Sequence, residues 1–142
     1  MPSGAVEPPV FTLRYAPPES VLALHQKTTI TAHPNQDVWA IGVLAFEMMS
    51  GQLLFPMGST SAEVQQVLIG ERRFPHEEDP SVWRKVGKLS TLVQRMLSRD
   101  ATQRPTAVEV SAQVDNLANV TGATLCATVP HTTTVDAYRY AC

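Results

Sequence analysis

Cysteine is scarce: Cys126 and Cys142 stand near the end of the chain, with no Cys-x-x-Cys pair and no Cys/His ligand spacing. That pattern speaks against a zinc site or a disulfide framework and predicts a reducing compartment. A basic excess is missing as well. Eleven Lys and Arg against thirteen Asp and Glu leave a net charge of −2, without the dense positive footprint of a general nucleic-acid binder. Long apolar runs are missing too. The most apolar stretch, Val38 to Met49, contains Glu47 and falls short of the ~20 residues a membrane span needs. Met1 to Val10 shows neither a basic n-region nor an apolar segment, so no signal peptide is expected and the Asn119-Val120-Thr121 sequon carries no weight. These absences predict an intracellular, cytoplasmic chain with no nucleic-acid or membrane partner.

What is present suits one packed domain: 142 residues, 44% hydrophobic and 17% charged. Met1 to Pro9 is rich in Pro, Gly and Ser and reads as an extended lead-in over residues 1–10. Pro17-Pro18 opens a short helix over Glu19 to Leu24, because proline suits a helix's first turn. His25 to Gln36 is polar and aperiodic. From Asn35 to Ser50 the pattern predicts a helix capped by Asn35, with Asp37 in the first turn and Gly51 as its stop. Its side chains are apolar on every face, which predicts a central buried helix.

Three further helices carry start signals or periodicity. Thr60-Ser61-Ala62-Glu63 and Thr106-Ala107-Val108-Glu109 are capping boxes. Val64, Val67 and Leu68 follow the first; Ala107, Val110, Val114 and Leu117 share a face after the second. Between them Leu89, Leu92, Val93, Met96 and Leu97 keep helical spacing. Arg72 to Pro80 is charged and turn-rich, with Trp83 as a core anchor beyond it. Residues 118–142 lack period and read as a loose tail. The fold class is mainly α.

Three motifs, in order, resemble the C-terminal lobe of eukaryotic protein kinases. Thr12-Leu13-Arg14-Tyr15-Ala16-Pro17-Pro18-Glu19 is similar to the end of a kinase activation segment. Asp37-Val38-Trp39-Ala40-Ile41-Gly42-Val43 is similar to the Asp-x-Trp-Ser-x-Gly signature of the central lobe helix, and Arg99-Asp100-Ala101-Thr102-Gln103-Arg104-Pro105-Thr106 to the turn before the last helix. The resemblance spans about Thr12 to Leu117, within a partial domain over residues 11–117. It departs at Phe11, where many Ser/Thr kinases have Gly, at Pro17 in place of Ala, and in a long link implying an insertion around His25 to Pro34.

The resemblance implies roles. Glu19 would pair with Arg104, fastening the activation segment to the final helices. By the resemblance Asp37 would accept hydrogen bonds from the backbone of a catalytic loop; with no such loop in this sequence, it is expected instead to serve its own helix dipole. Trp39 would be a core residue with a buried acceptor for its indole N–H, and Gly42 would allow a neighbouring backbone to approach closely. Thr12, Tyr15 and Glu47 are the candidate substrate-binding residues. Thr12 implies Ser/Thr specificity, and Glu47 would either meet a basic substrate residue or simply end the helix's polar side.

Phosphoryl transfer needs groups that hold nucleotide, metal and the attacking hydroxyl in line. Among seven glycines there is no Gly-x-Gly, no histidine precedes Arg, no aspartate precedes Phe-Gly, and no lysine lies in a Val-Ala-x-Lys strand. The sequence thus offers no catalytic residue, no metal ligand and no cofactor-binding residue, although ATP and Mg2+ are implied for a complete family member. It reads as a truncated kinase lobe bearing substrate-loop and scaffold elements, inactive alone. The alternative is a non-catalytic interaction module docking a partner protein through Gly58 to Pro80; an unrelated helical adaptor is a third reading. Apolar surface left bare by the absent segments predicts self-association.

Overall fold

The computed structural model describes residues 13–121, and every regular element among them is helical. The predicted lead-in over residues 1–10, Thr12 and the tail from residue 122 lie outside the described residues. Seven α-helices follow in order: α1 (Pro18–His25), α2 (Pro34–Ser50), α3 (Ser61–Leu68), α4 (Pro75–Glu78), α5 (Val82–Val86), α6 (Ser90–Met96) and α7 (Ala107–Thr121). Short 3-10 turns cover Leu13–Tyr15, Gly87–Leu89 and Ala101–Gln103.

The helix ends follow local chemistry. Pro17, extended at φ −70° and ψ 148°, delivers Pro18 to the first turn of α1, one residue earlier than expected. The cap of α2 is His33, not Asn35. Its Nδ1 accepts from Asn35 N at 3.2 Å, and Pro34 fills the first helical position, so the helix starts before Asn35. Asn35 is thereby freed to donate through Nδ2 to the Ala101 carbonyl at 2.9 Å. Gly51, at φ 70°, closes α2 in the left-handed conformation that glycine adopts without strain. Thr60 and Glu63 form the reciprocal capping box of α3. Thr106 and Glu109 do the same for α7. α7 runs to Thr121, so residues 118–121 are helical rather than loose tail. The charged segment before Trp83 also differs from expectation. Glu77 accepts from Phe74 N at 2.8 Å, which satisfies an orphan donor and nucleates the single turn of α4.

α2 is the axle of the lobe, packed against α5, α6 and α7. Its inner face places Trp39, Val43 and Phe46 in a core shared with Leu54, Phe55, Val64, Leu68, Phe74, Val82, Val86 and Val93. Val38 joins Leu92 and Met96 in a second cluster, against which Val110 of α7 packs. Gly42 sits where α2 meets α6: a Cβ there would lie 2.8 Å from Met96 Cβ.

The expectation of burial on every face of α2 needs correction. Ile41, Leu44 and Met48 form a stripe with exposures of 49%, 48% and 83%. Their spacing of three and four residues keeps them on one side of the helix, opposite the packed one. α7 also buries less than its pattern predicted. Ala107 and Val114 are exposed, while Val110 and Leu117 are half-buried.

Candidate functional site: the clasped segment from Leu13 to Glu19

Residues 13–19 cross the lobe as one 3-10 turn, a buried plug at Ala16 and the first turn of α1. Each end is fastened to a distant part of the chain. At the far end the Arg104 guanidinium donates to both oxygens of Glu19, Nη1 to Oε1 at 2.8 Å and Nη2 to Oε2 at 2.7 Å. This parallel, charge-assisted fork is the strong form of such a contact. Arg104 also donates to the carbonyls of Ser98 at 2.9 Å and Asn35 at 3.0 Å, and lies over the Trp39 ring with Cζ 5.1 Å from its centroid. Its side chain is wholly buried; that of Glu19 keeps 33% exposure.

At the near end, Tyr15 Oη donates to Glu47 Oε2 at 3.1 Å. Glu47 Oε1 accepts from Leu54 N at 3.2 Å. The Tyr15 hydroxyl is pushed above its ordinary pKa because its proton is held by Glu47, whose charge adds to the effect, while Arg14 opposes it. Arg14 itself donates from Nη1 to the Phe55 carbonyl at 2.6 Å and from Nη2 to that of Pro56 at 3.3 Å. Arg14 directly, and Tyr15 through the Glu47 carboxylate, therefore tie the turn to the backbone of Leu54, Phe55 and Pro56.

The other sequence-predicted residues fall into place around these anchors. Asp37 is exposed in the first turn of α2, with no side-chain hydrogen bond among the described residues. Trp39 is fully buried, but its Nε1 finds no acceptor there, against the expectation. Its neighbours explain this: Phe74 offers a ring 5.8 Å away, and the Arg104 guanidinium above it is a donor without lone pairs.

Two features escaped the sequence. Arg14 occupies an unconstrained position inside the first motif, so nothing in the motif announced its carbonyl contacts. His76 stands in an aromatic box: stacked on Phe74 at 5.1 Å, edge-on to Trp83 at 5.2 Å, and 5.7 Å from Phe46. Burial pushes its pKa down to about 4, with Glu77 opposing and Arg99 assisting, and its Nδ1 has no partner among the described residues. Phe74 and Trp83 hinted at an aromatic core, but the charged neighbours of His76 disguised its burial.

Among the described residues no group of His, Cys, Asp or Glu could hold a metal ion. The glycines at positive φ, namely Gly51, Gly58, Gly70 and Gly87, are isolated rather than gathered in a phosphate-cradling loop. No helix of the described residues is long and apolar enough to cross a membrane.

A clasped segment, a central helix and a final helix behind an Arg-Pro turn define a class, and the comparisons agree. The family model for the protein kinase domain matches residues 2–114, and the chain belongs to that family. Among known proteins it is similar to Sperm motility kinase Z of Mus musculus, 32% identical over 112 residues, which cover 78% of this chain and 20% of the relative. The chain thus spans about a fifth of that relative's length and carries part of a kinase domain, its helical lobe.

Proposed function

We propose that these residues supply the peptide-docking and scaffolding part of a protein Ser/Thr kinase. The parent activity, transfer of the ATP γ-phosphoryl group to a protein hydroxyl, would draw its nucleotide, metal and catalytic groups from residues outside this sequence. The observation that carries the reading is the double fastening of residues 13–19, by Tyr15 on Glu47 and by Glu19 on Arg104. A segment tied to the core at both ends presents a fixed edge to a partner peptide, and such preorganisation lowers the entropic cost of binding. Tyr15 and Glu47 hold that edge, and Trp39, Gly42 and Asp37 serve the axle; Thr12, the remaining candidate, lies outside the described residues.

Isothermal titration of the 142-residue chain with ATP and Mg2+ tests the first half of this reading. No magnesium-dependent complex is expected, and a micromolar one overturns it. Sequencing the 5′ end of the transcript tests the second half. An in-frame extension encoding the Lys, His-Arg-Asp and Asp-Phe-Gly elements supports the kinase.

A second reading, a non-catalytic lobe that docks a partner through Gly58 to Pro80, draws support from Met57, 85% exposed at the edge of that surface. A stop codon upstream of Met1, together with a monodisperse product, favours it.

A further inference from the structure

We propose that the docking face of residues 13–15 selects acidic side chains, with Arg14 as its specificity-determining residue; the proposal rests on the docking reading above. Two opposite charges, Glu47 and Arg14, stand at this face. Glu47 would be the natural partner for a basic peptide residue, yet both its oxygens already accept hydrogen bonds from within, from Tyr15 Oη and from Leu54 N. These two bonds take up half of the carboxylate's four lone-pair sites and offset part of its pull on a basic residue.

Arg14 is in the reverse position. Its two hydrogen bonds go to the neutral carbonyls of Phe55 and Pro56, and no carboxylate of the described residues lies within ion-pair distance. Arg104, Arg72 and Arg99, in contrast, have Glu19, Glu63 and Glu77. A guanidinium carries five N–H donors in a plane, so Arg14 keeps unused donors while its orientation is fixed by the two carbonyls. The longer bond, from Nη2 to Pro56, lies on the exposed side. An anchored, half-exposed cation without a carboxylate partner is a preorganised reader of carboxylate.

The surroundings add charge of both signs. A cleft of about 170 Å3 beside Phe55 and Pro56 is lined by Arg73, which makes no ion pair among the described residues, and also by Glu63 and Glu78. Glu63 is held by Thr60 and by Arg72 at 3.7 Å, leaving Glu78 as the opposing charge.

Fluorescein-labelled peptides of equal length, alternating Glu-Ala, Gln-Ala or Lys-Ala, test this by polarisation against the full chain at low ionic strength. The Glu-Ala peptide is expected to bind about fivefold more tightly than the Gln-Ala peptide, a margin that shrinks with added salt. Lys-Ala should bind worst. Arg14→Met should erase the preference, and Arg14→Lys should retain part of it. Equal or tighter binding of the lysine peptide, or an undiminished preference in Arg14→Met, overturns the proposal while leaving the docking reading intact. No binding by any of the three peptides overturns both.

Ultraviolet titration of Tyr15, taken as the difference from Tyr15→Phe, reports whether the turn stays in place. With the turn held, Arg14→Met raises the Tyr15 ionisation further, because an opposing cation has gone. If the ionisation instead returns to that of free tyrosine, the turn has detached, and Arg14→Lys becomes the deciding variant: loss of its preference for Glu-Ala despite a held turn overturns the proposal.

Discussion

Glu19 and Arg104 lie 85 positions apart in the chain and meet through two parallel hydrogen bonds of 2.8 and 2.7 Å. The contact joins the start of α1 to the turn that precedes α7, so it closes the lobe around α2. Arg104 is wholly buried and donates to the Ser98 and Asn35 carbonyls as well. Its charge, however, is balanced by Glu19 alone among the described carboxylates within ion-pair distance. Removing Glu19 therefore strands a cation in the interior rather than merely deleting a contact.

Gly42 gives a prediction whose sign separates two effects. In an exposed helix, Gly→Ala stabilises by about 1 kcal/mol. At Gly42 the added Cβ would meet Met96 Cβ at 2.8 Å, closer than such atoms pack. Gly42→Ala should therefore destabilise, by about 1–3 kcal/mol as overpacked cores do. Urea denaturation monitored by far-ultraviolet circular dichroism checks it; an unchanged or raised midpoint would show that α6 yields freely.

His76 makes the lobe acid-sensitive in a defined window. Its folded pKa is about 4 against an ordinary 6.5, because burial disfavours the charged ring. The unfolded chain thus binds the proton more readily. Stability from this residue is complete above pH 6.5 and falls as pH drops from 6.5 through 4. The loss approaches about 2–3 kcal/mol, reduced for the ring's partial exposure. His76→Phe, which keeps the aromatic box, should flatten the slope of melting temperature between pH 6.5 and pH 4. A slope identical to that of the parent would assign the acid sensitivity to other groups.

The bare stripe of Ile41, Leu44 and Met48 predicts association. A contiguous apolar patch of this kind favours contact with a partner or a second copy. Sedimentation at increasing concentration should show self-association of the full chain. The triple substitution Ile41→Gln, Leu44→Gln, Met48→Gln should abolish it. A clean monomer at every concentration would count against the stripe as a sticky surface.

Much of this architecture was legible in the sequence because its signals are local. The capping boxes at Thr60 and Thr106 and the stop at Gly51 act within a turn of the chain, and each helix forms where they place it. The pairing of Glu19 with Arg104 was not local. It was readable only through the resemblance of two motifs, since a separation of 85 positions leaves no pattern of its own. The start of α2 was misplaced because His33-Pro34 outcompetes Asn35 as an entry, a choice between two adequate caps. Burial around α2 was overestimated for a different reason. An apolar run states that a face can be buried, but only the neighbours decide whether it is, and Ile41, Leu44 and Met48 stay exposed. Arg14 was invisible because its partners are backbone carbonyls, which every residue possesses.

The central claim, that the segment from Leu13 to Glu19 is clasped to the end of the lobe by one ion pair, is tested most directly by a double-mutant cycle. Glu19→Gln, Arg104→Met and the double variant would be compared with the parent by chemical denaturation. Each single substitution should cost about 3 kcal/mol. The double variant should cost far less than their sum, leaving a coupling energy of about 2 kcal/mol or more. Simple additivity of the two single effects would contradict the account.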